Sequence, residues 1–360
     1  PNALEGNELP SDITPLALLL LSDKIRKNAN RTLSFFADQG VDIKVISGDN
    51  AVTVANIAKK AGLKNADNVI DASLLLNNEN LKAAAEKYTV FGRVTPQQKL
   101  DLVKALKEQG HTVAMTGDGV NDVLALKESD CSIAMASGSD ASKTVSQVVL
   151  LDSDFASMPR IVNEGRRSIN NLQRSASLFM VKAIFSAIIA VLFIFVSCGY
   201  PFQPIQFTLI NAVSIGIPSF ILALEQNRER IQGRFMVNVM KKSLPGALTM
   251  STNILFLVLI ACSLQFSPEQ ISTLAVILTG YTGLHTLFKV CIPFNVKHAV
   301  LFWLMAGIFI VAILFFKPFF GLVNLTLPMV LILVPLLLAA TSLMSLYYHM
   351  IEKVIMKKAK

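Results

Sequence analysis

A chain of 360 residues that is 52% hydrophobic and only 16% charged, with a mean hydropathy of +0.52, is too apolar for an ordinary water-soluble enzyme of this length. Its net charge of +8 is uneven: residues 1–160 carry 17 basic and 20 acidic side chains, residues 161–360 carry 16 and 5. The positive charge thus belongs to the apolar half, where it signals membrane orientation and excludes a nucleic-acid footprint; the four scattered cysteines, Cys131, Cys198, Cys262 and Cys291, exclude a disulfide scaffold.

Pro1–Pro10 is polar, without the basic start or apolar core of a signal peptide. Residues 1–157 then alternate short apolar runs with amphipathic stretches, which predicts a doubly wound α/β domain with a parallel sheet. Strands are expected at Leu16–Leu21, Ile43–Ile46, Tyr88–Phe91, Thr112–Met115, Ser132–Met135 and Gln147–Leu151. Among the helices between them, the one opened by Thr95 and Pro96 has an N-cap, a proline at the first position and Gly110 as its stop. A polar, helical linker follows over 158–175 and leads into the apolar half without a turn signal.

Six apolar runs come next, at about 178–197, 205–224, 246–264, 271–291, 299–316 and 328–348, each near the ~20 residues that cross a bilayer. A membrane domain over 176–350 is followed by a basic tail at 351–360. The segments before the first run, between the second and third, between the fourth and fifth, and after the sixth hold nearly all the Lys and Arg of this half. The opposite loops hold only Lys317. That asymmetry puts the α/β domain and the C-terminus in the cytoplasm, with a multi-pass segment in the lipid bilayer between them.

Chemistry-bearing residues gather at the carboxyl ends of the expected strands, where parallel sheets place ligands. Thr116-Gly117-Asp118-Gly119-Val120-Asn121-Asp122 offers three oxygen-bearing side chains on one glycine-relieved turn. Such oxygens suit Mg²⁺, which takes one or two carboxylates and leaves its other positions to water and phosphate; an Asx-rich turn that only starts a helix has the same composition. Ser47-Gly48-Asp49 ends another strand and presents a hydroxyl and amides to an anion. Lys99 lies one turn into the proline-started helix, where an ammonium can neutralise a phosphate. Hydroxyl, lysine and carboxylates together predict phosphoryl transfer.

These segments, with Ala125-Leu126-Lys127-Glu128-Ser129-Asp130, resemble the haloacid-dehalogenase-type phosphorylation domain of P-type ATPases. Nearly the whole chain is similar to the C-terminal part of such a pump: the end of the phosphorylation domain plus spans five to ten. The bacterial calcium-transporting subgroup is similar in Ser137–Ser142, Val148–Asp152, Glu164–Arg167 and Ile215–Phe220. The resemblance implies a haloacid-dehalogenase-like, Rossmann-like α/β fold followed by an all-α six-helix transmembrane domain. It implies an ATP-hydrolysing translocase in which Asp118 binds Mg²⁺, while Asn121 and Asp122 position the phosphoryl group and metal. Lys99 would neutralise the transferring phosphate; Ser47, in its turn with Gly48, would donate a hydrogen bond to it. Asp49, Arg26 and Arg93 would face the nucleotide. The family's phosphorylated Asp-Lys-Thr-Gly-Thr occurs nowhere here, and Asp23-Lys24 is followed by Ile25-Arg26. The resemblance therefore implies that this chain works with an actuator domain, a nucleotide domain and spans one to four, and is inactive alone. Val123-Leu124 stands where many relatives have Ala-Pro.

Calcium-pump relatives hold their ion with carboxylates and amides, yet these six spans carry no carboxylate at mid-depth. The oxygens they can offer are Ser186, Asn211 and Ser214, the last just before the Gly216/Pro218 interruption, which either frees carbonyls or only kinks the helix. Lys182, one turn into the first span, either snorkels to the interface or points inward as a built-in counter-cation. The sequence thus predicts part of a bacterial plasma-membrane pump using ATP and Mg²⁺ to move Ca²⁺. The alternatives are a pump for Mg²⁺, K⁺, H⁺ or a lipid, and a non-transporting membrane-anchored phosphatase.

Overall fold

The computed structural model describes residues 24–75, 77–196 and 199–358, together with Ala17. Apart from Ala17, the expected strand Leu16–Leu21 lies outside the described residues. The chain divides into two compact units, Pro1–Ile161 and Val162–Lys360.

The first unit alternates strand and helix. Its elements are α1 (Ala29–Asp38), β1 (Val45–Ile46), α2 (Ala51–Lys60), β2 (Val69–Asp71), α3 (Asn78–Lys87), β3 (Val90–Gly92), α4 (Pro96–Glu108), β4 (Ala114–Gly117), α5 (Val123–Glu128), β5 (Cys131–Met135), α6 (Asp140–Val145) and β6 (Val148–Leu150). All pairings are parallel, as short strands joined through helices require. Among the described residues they form two three-stranded sheets, ordered β1-β3-β2 and β4-β5-β6. The first packs α2, α3 and α4 onto Val90 and Phe91. The second is covered through Met115, Leu126 and Ile133. Thr95 caps α4 as expected, with a reciprocal capping box to Gln98. This fixes the first turn of the helix that carries Lys99.

The second unit holds six helical stretches long and apolar enough to cross a membrane, from Phe155–Phe195 to Leu327–Val354. The helix α7 (Met158–Phe195) contains both the expected linker and the first span without a break. The second span is composite: α8 (Pro204–Asn211), a π-turn over Ala212–Gly216, and α9 (Ile217–Ala223). Then follow α10 (Phe235–Ser263), α11 (Pro268–Val290), α12 (Val296–Phe315) and α13 (Leu327–Lys358).

Two helices extend beyond the apolar runs they carry. The helix of the third run begins at Phe235 and continues through Pro245; Lys241 on it is neutralised by Glu352 of α13 at 2.8 Å. Residues 351–358 continue α13. Cys262 is disulfide-bonded, which spacing along the chain did not reveal. One apolar core runs from Leu178 to Leu336. It closes tightly where α10 and α11 touch, since a Cβ at Gly246 would stand 2.6 Å from Thr286 Oγ1.

Candidate functional site

Backbone hydrogen bonds draw the strand ends of the first unit together. Ser47 follows β1, its amide donating to Phe91 of β3 at 3.0 Å and its carbonyl accepting from the Val94 amide at 3.0 Å. The Arg93 amide donates to the Asp49 carbonyl at 2.7 Å. Ser47-Gly48-Asp49 and Arg93-Val94 are therefore two halves of one rim, and Arg93 holds its place there with φ +51°, in the left-handed region. Its guanidinium reaches Asp71 at the end of β2, 3.2 Å away. Hydrogen bonds from the Ser73 hydroxyl and amide, aided by the charge of Arg93, hold the Asp71 carboxyl below its usual value against an opposing desolvation. Ser47 and Asp49 also bond each other, Oγ to Oδ2 at 3.2 Å.

From the rim α4 carries Lys99 to the end of β4. Its Nζ donates to Asp122 Oδ1 at 2.6 Å, each side chain only 11% exposed. The other oxygen of Asp122 accepts from the Gly119 amide at 3.2 Å. Gly117 is required here, because a Cβ at that position would meet Asp122 Cβ at 2.6 Å. The Asp118 carbonyl accepts from the Ser139 amide and the Ser142 hydroxyl, at 2.8 and 2.9 Å, which fixes the loop against the end of β5. Asp118 and Asn121 are exposed, and their side chains have no protein partner among the described residues.

This arrangement suits one hard cation. Asp118 is an uncommitted carboxylate at the mouth, while both oxygens of Asp122 are already engaged, so Asp122 fits an outer shell better than direct ligation. Among the described residues no group of three or more His, Cys, Asp or Glu could hold a metal by itself. The missing ligands would be water and phosphate. Arg26 stands apart from this rim: its guanidinium is taken by Asp154 at 3.2 Å and by the Ser153 carbonyl at 3.0 Å.

In the second unit, a small cavity of about 20 Å³ lies among α7, α8, the π-turn, α10 and α11. Lys182 and Ser214 line it, and Ser186 and Asn211 do not. The i→i+5 turn advances through fewer degrees per residue than an α-helix, so Asn211 and Ser214 no longer share a face. Among the lining residues that escaped the sequence reading are Thr279, Gly283 and Thr286, at i, i+4 and i+7 on α11. That small and polar stripe inside an apolar run was the available signal. Gly283 admits the π-turn, since a Cβ there would stand 2.8 Å from Ser214 Cβ. Thr279 is 2% exposed and its hydroxyl has no partner among the described residues. Lys182 is exposed on its helix surface and makes no ion pair among the described residues.

Fold and rim define a class: a haloacid dehalogenase-like hydrolase domain joined to six membrane-capable helices. The family profile for haloacid dehalogenase-like hydrolases matches residues 4–130. The chain is 42% identical over 314 residues to a protein of Streptococcus pneumoniae named probable cation-transporting ATPase exp7, covering 85% of this chain and 40% of that one. It is 43% identical over 311 residues to the calcium-transporting ATPase CtpE of Mycolicibacterium smegmatis, covering 81% and 39%. A calcium-transporting ATPase of Bacillus subtilis is 32% identical over 233 residues, covering 62% and 26%. The chain belongs to the P-type ATPase family and is an integral membrane protein. It spans about 40% of the length of the first two of these relatives.

Proposed function

We propose that the chain supplies the phosphorylation-domain rim and the C-terminal membrane sector of an ATP-driven pump whose cargo is Ca²⁺. The observation that carries this reading is the buried Lys99–Asp122 pair, set beside the uncommitted carboxylate of Asp118. A cation and a carboxylate so far from water are costly unless matched, and here they link the first turn of α4 to the end of β4. Asp118 would hold Mg²⁺, with Asp122 behind it; the ion would supply positive charge against the phosphate oxygens. Lys99 neutralises the same oxygens from the other side, Ser47 donates to one of them, and Asn121 positions the group. Asp49 and Arg93 face the nucleotide from the neighbouring rim, and Arg26 would join them only by leaving Asp154.

Relatives named as calcium transporters support the cargo. In the cavity, Ser214, Thr279 and Thr286 provide hydroxyl oxygens and Lys182 a cation at the mouth that would take the place of a released ion. Ca²⁺ takes six to eight oxygens, so the shell would be completed by parts of the pump outside this chain. On this reading the domains divide at 1–157, 158–175, 176–350 and 351–360. The first domain and the C-terminus lie in the cytoplasm of a bacterial cell, and the actuator domain, nucleotide domain and spans one to four are the partners. A cavity lined without a carboxylate favours a second reading, a pump for another cation. ATP hydrolysis by the complete pump against a panel of Ca²⁺, Mg²⁺ and K⁺ separates the two. Stimulation by Ca²⁺ at low concentration is expected; no response to Ca²⁺ would remove it as cargo.

A further inference from the structure

The carboxylate of Asp118 makes no bond to the protein among the described residues, so its aim depends on its own backbone. That backbone is flanked by Gly117 and Gly119, residues of the type with the greatest conformational freedom. A metal ligand must nevertheless be held to within about 0.5 Å. The support comes from the loop between β5 and α6.

Two groups of that loop meet the Asp118 carbonyl: the Ser139 amide at 2.8 Å and the Ser142 hydroxyl at 2.9 Å. Ser142 is fully buried, and its hydroxyl has a single proton to place. The Ser142 amide donates to Ser139 Oγ, and the Ser139 hydroxyl lies close enough to give its own proton to Ser142 Oγ. The Ser142 proton is then left for a carbonyl, and that of Asp118 is nearer than that of Ser139, which lies at 3.0 Å. Gly138 adds a contact of another kind. A Cβ there would stand 2.7 Å from the Asp118 carbonyl oxygen and 3.0 Å from Asp118 Cα and Cβ, so the loop backbone rests against the carbons that aim the carboxylate. The loop owes its own shape to other bonds. The Ala136 amide donates to the Leu150 carbonyl of β6 at 3.0 Å, the Gly138 amide to the Met135 carbonyl at 3.0 Å, and the Ser137 amide to Ser153 Oγ at 2.9 Å. The loop is therefore the template, and Asp118 is the part that is placed.

We propose that Ser142 and Gly138 are positioning residues for the metal carboxylate: they fix where the backbone of Asp118 stands and so where its oxygens are offered to Mg²⁺. Neither touches the ion. The role rests on the reading of Asp118 as the Mg²⁺ ligand and is independent of the cargo. The two residues act in different ways, which sets the order of their effects. Ser142→Ala leaves the Ser139 amide in place, so it loosens the grip without opening it. Gly138→Ala instead pushes, because ordinary contact begins at 3.4 Å. Asp118 would have to retreat by about 0.5 Å, as much as a metal constellation tolerates.

The test measures binding of Mn²⁺, a paramagnetic stand-in for Mg²⁺, to the whole chain in detergent through the loss of the free-ion EPR signal, with the thermal midpoint recorded alongside. Asp118→Asn identifies the binding that belongs to this carboxylate. Ser142→Ala is expected to weaken that binding about 3–10-fold, and Gly138→Ala about 10–100-fold. A merely structural role would lower the midpoint and leave the affinity at its wild-type value, and that result would overturn the proposal. If Ser142→Ala does not fold, Ser142→Cys keeps a similar volume and exchanges a strong donor for a weak one. Its affinity should fall below the wild type, and an unchanged affinity would equally count against the role. If Asp118→Asn binds Mn²⁺ as tightly as the wild type, the reading of Asp118 as the ligand fails and the positioning role goes with it. If Asp118→Asn loses the ion while Ser142→Ala and Gly138→Ala keep it, the positioning role alone falls.

Discussion

Lys99 Nζ and Asp122 Oδ1 lie 2.6 Å apart at the ends of two different sheets, each side chain almost out of reach of water. The pair is at once a structural joint and the charged floor of the rim. Removing one partner strands the other, so Lys99→Ala and Asp122→Ala should each destabilise the first unit by about 3–5 kcal/mol. The two losses should not add: in a double-mutant cycle the pair should show coupling of at least about 1 kcal/mol. Denaturant unfolding of the chain, followed by a probe in the first unit, measures both. Losses that add would mean that the two side chains act separately.

Gly283 and Gly307 provide a matched comparison within the membrane unit. A Cβ at Gly283 meets Ser214 Cβ at 2.8 Å, whereas a Cβ at Gly307 meets nothing within 4 Å. In a helix, Gly→Ala ordinarily stabilises by up to about 1 kcal/mol, and Gly307→Ala should do so. Gly283→Ala should instead destabilise by about 1–3 kcal/mol through overpacking and should shrink the cavity. Thermal unfolding in detergent decides the stability half. In the complete pump, a loss of cation-stimulated ATP hydrolysis confined to Gly283→Ala decides the functional half.

Much of the rim was legible because its signals are local. Thr95, Pro96 and Gln98 state the start of α4 within four residues, and that start alone determines where Lys99 points. The turns at Ser47 and Asp118 likewise follow from glycines and short side chains next to apolar runs. What escaped depends on distance along the chain. Lys241 and Lys242 read as the end of a loop, since Glu352, which neutralises the first of them, is 111 residues away. Glu225 read as the close of a span, because its partners Arg174 and His298 come from other helices. Ser186 and Asn211 read as oxygens that the spans can offer, yet neither lines the cavity; the π-turn between Asn211 and Gly216 is a change of pitch that Gly216 and Pro218 hint at but do not dictate.

Asp71 tethers Arg93 to the rim, and its low carboxyl pKa fixes the sign of the pH dependence. A carboxyl depressed in the folded state keeps its contribution above its ordinary titration range and loses it as pH falls through the lowered value. The tether is therefore intact at neutral pH and fails only in acid. Asp71→Asn should reproduce the acid state at pH 7 by leaving the guanidinium unanchored. In the complete pump this should raise the KM for ATP several-fold while kcat at saturation stays close to wild type, as expected for a lost binding contact. An equal fall in kcat would place Arg93 in the chemical step instead.

Thr279 sets stability against function in a single atom. Its hydroxyl is buried beside the cavity and has no partner among the described residues, and a polar group in that state costs about 1–3 kcal/mol. Valine has nearly the same shape and no such cost, so Thr279→Val should stabilise the membrane unit by about 1 kcal/mol and raise its thermal midpoint. Were the hydroxyl only a packing accident, cation-stimulated ATP hydrolysis would be unchanged or improved by the sturdier protein. If it is kept to face the cargo, the same substitution should weaken the apparent cation affinity of the complete pump while leaving the midpoint raised. Residues retained at a cost to stability are characteristic of working sites. Thr279→Ser, which keeps the hydroxyl, should restore the affinity and give back part of the stability gain.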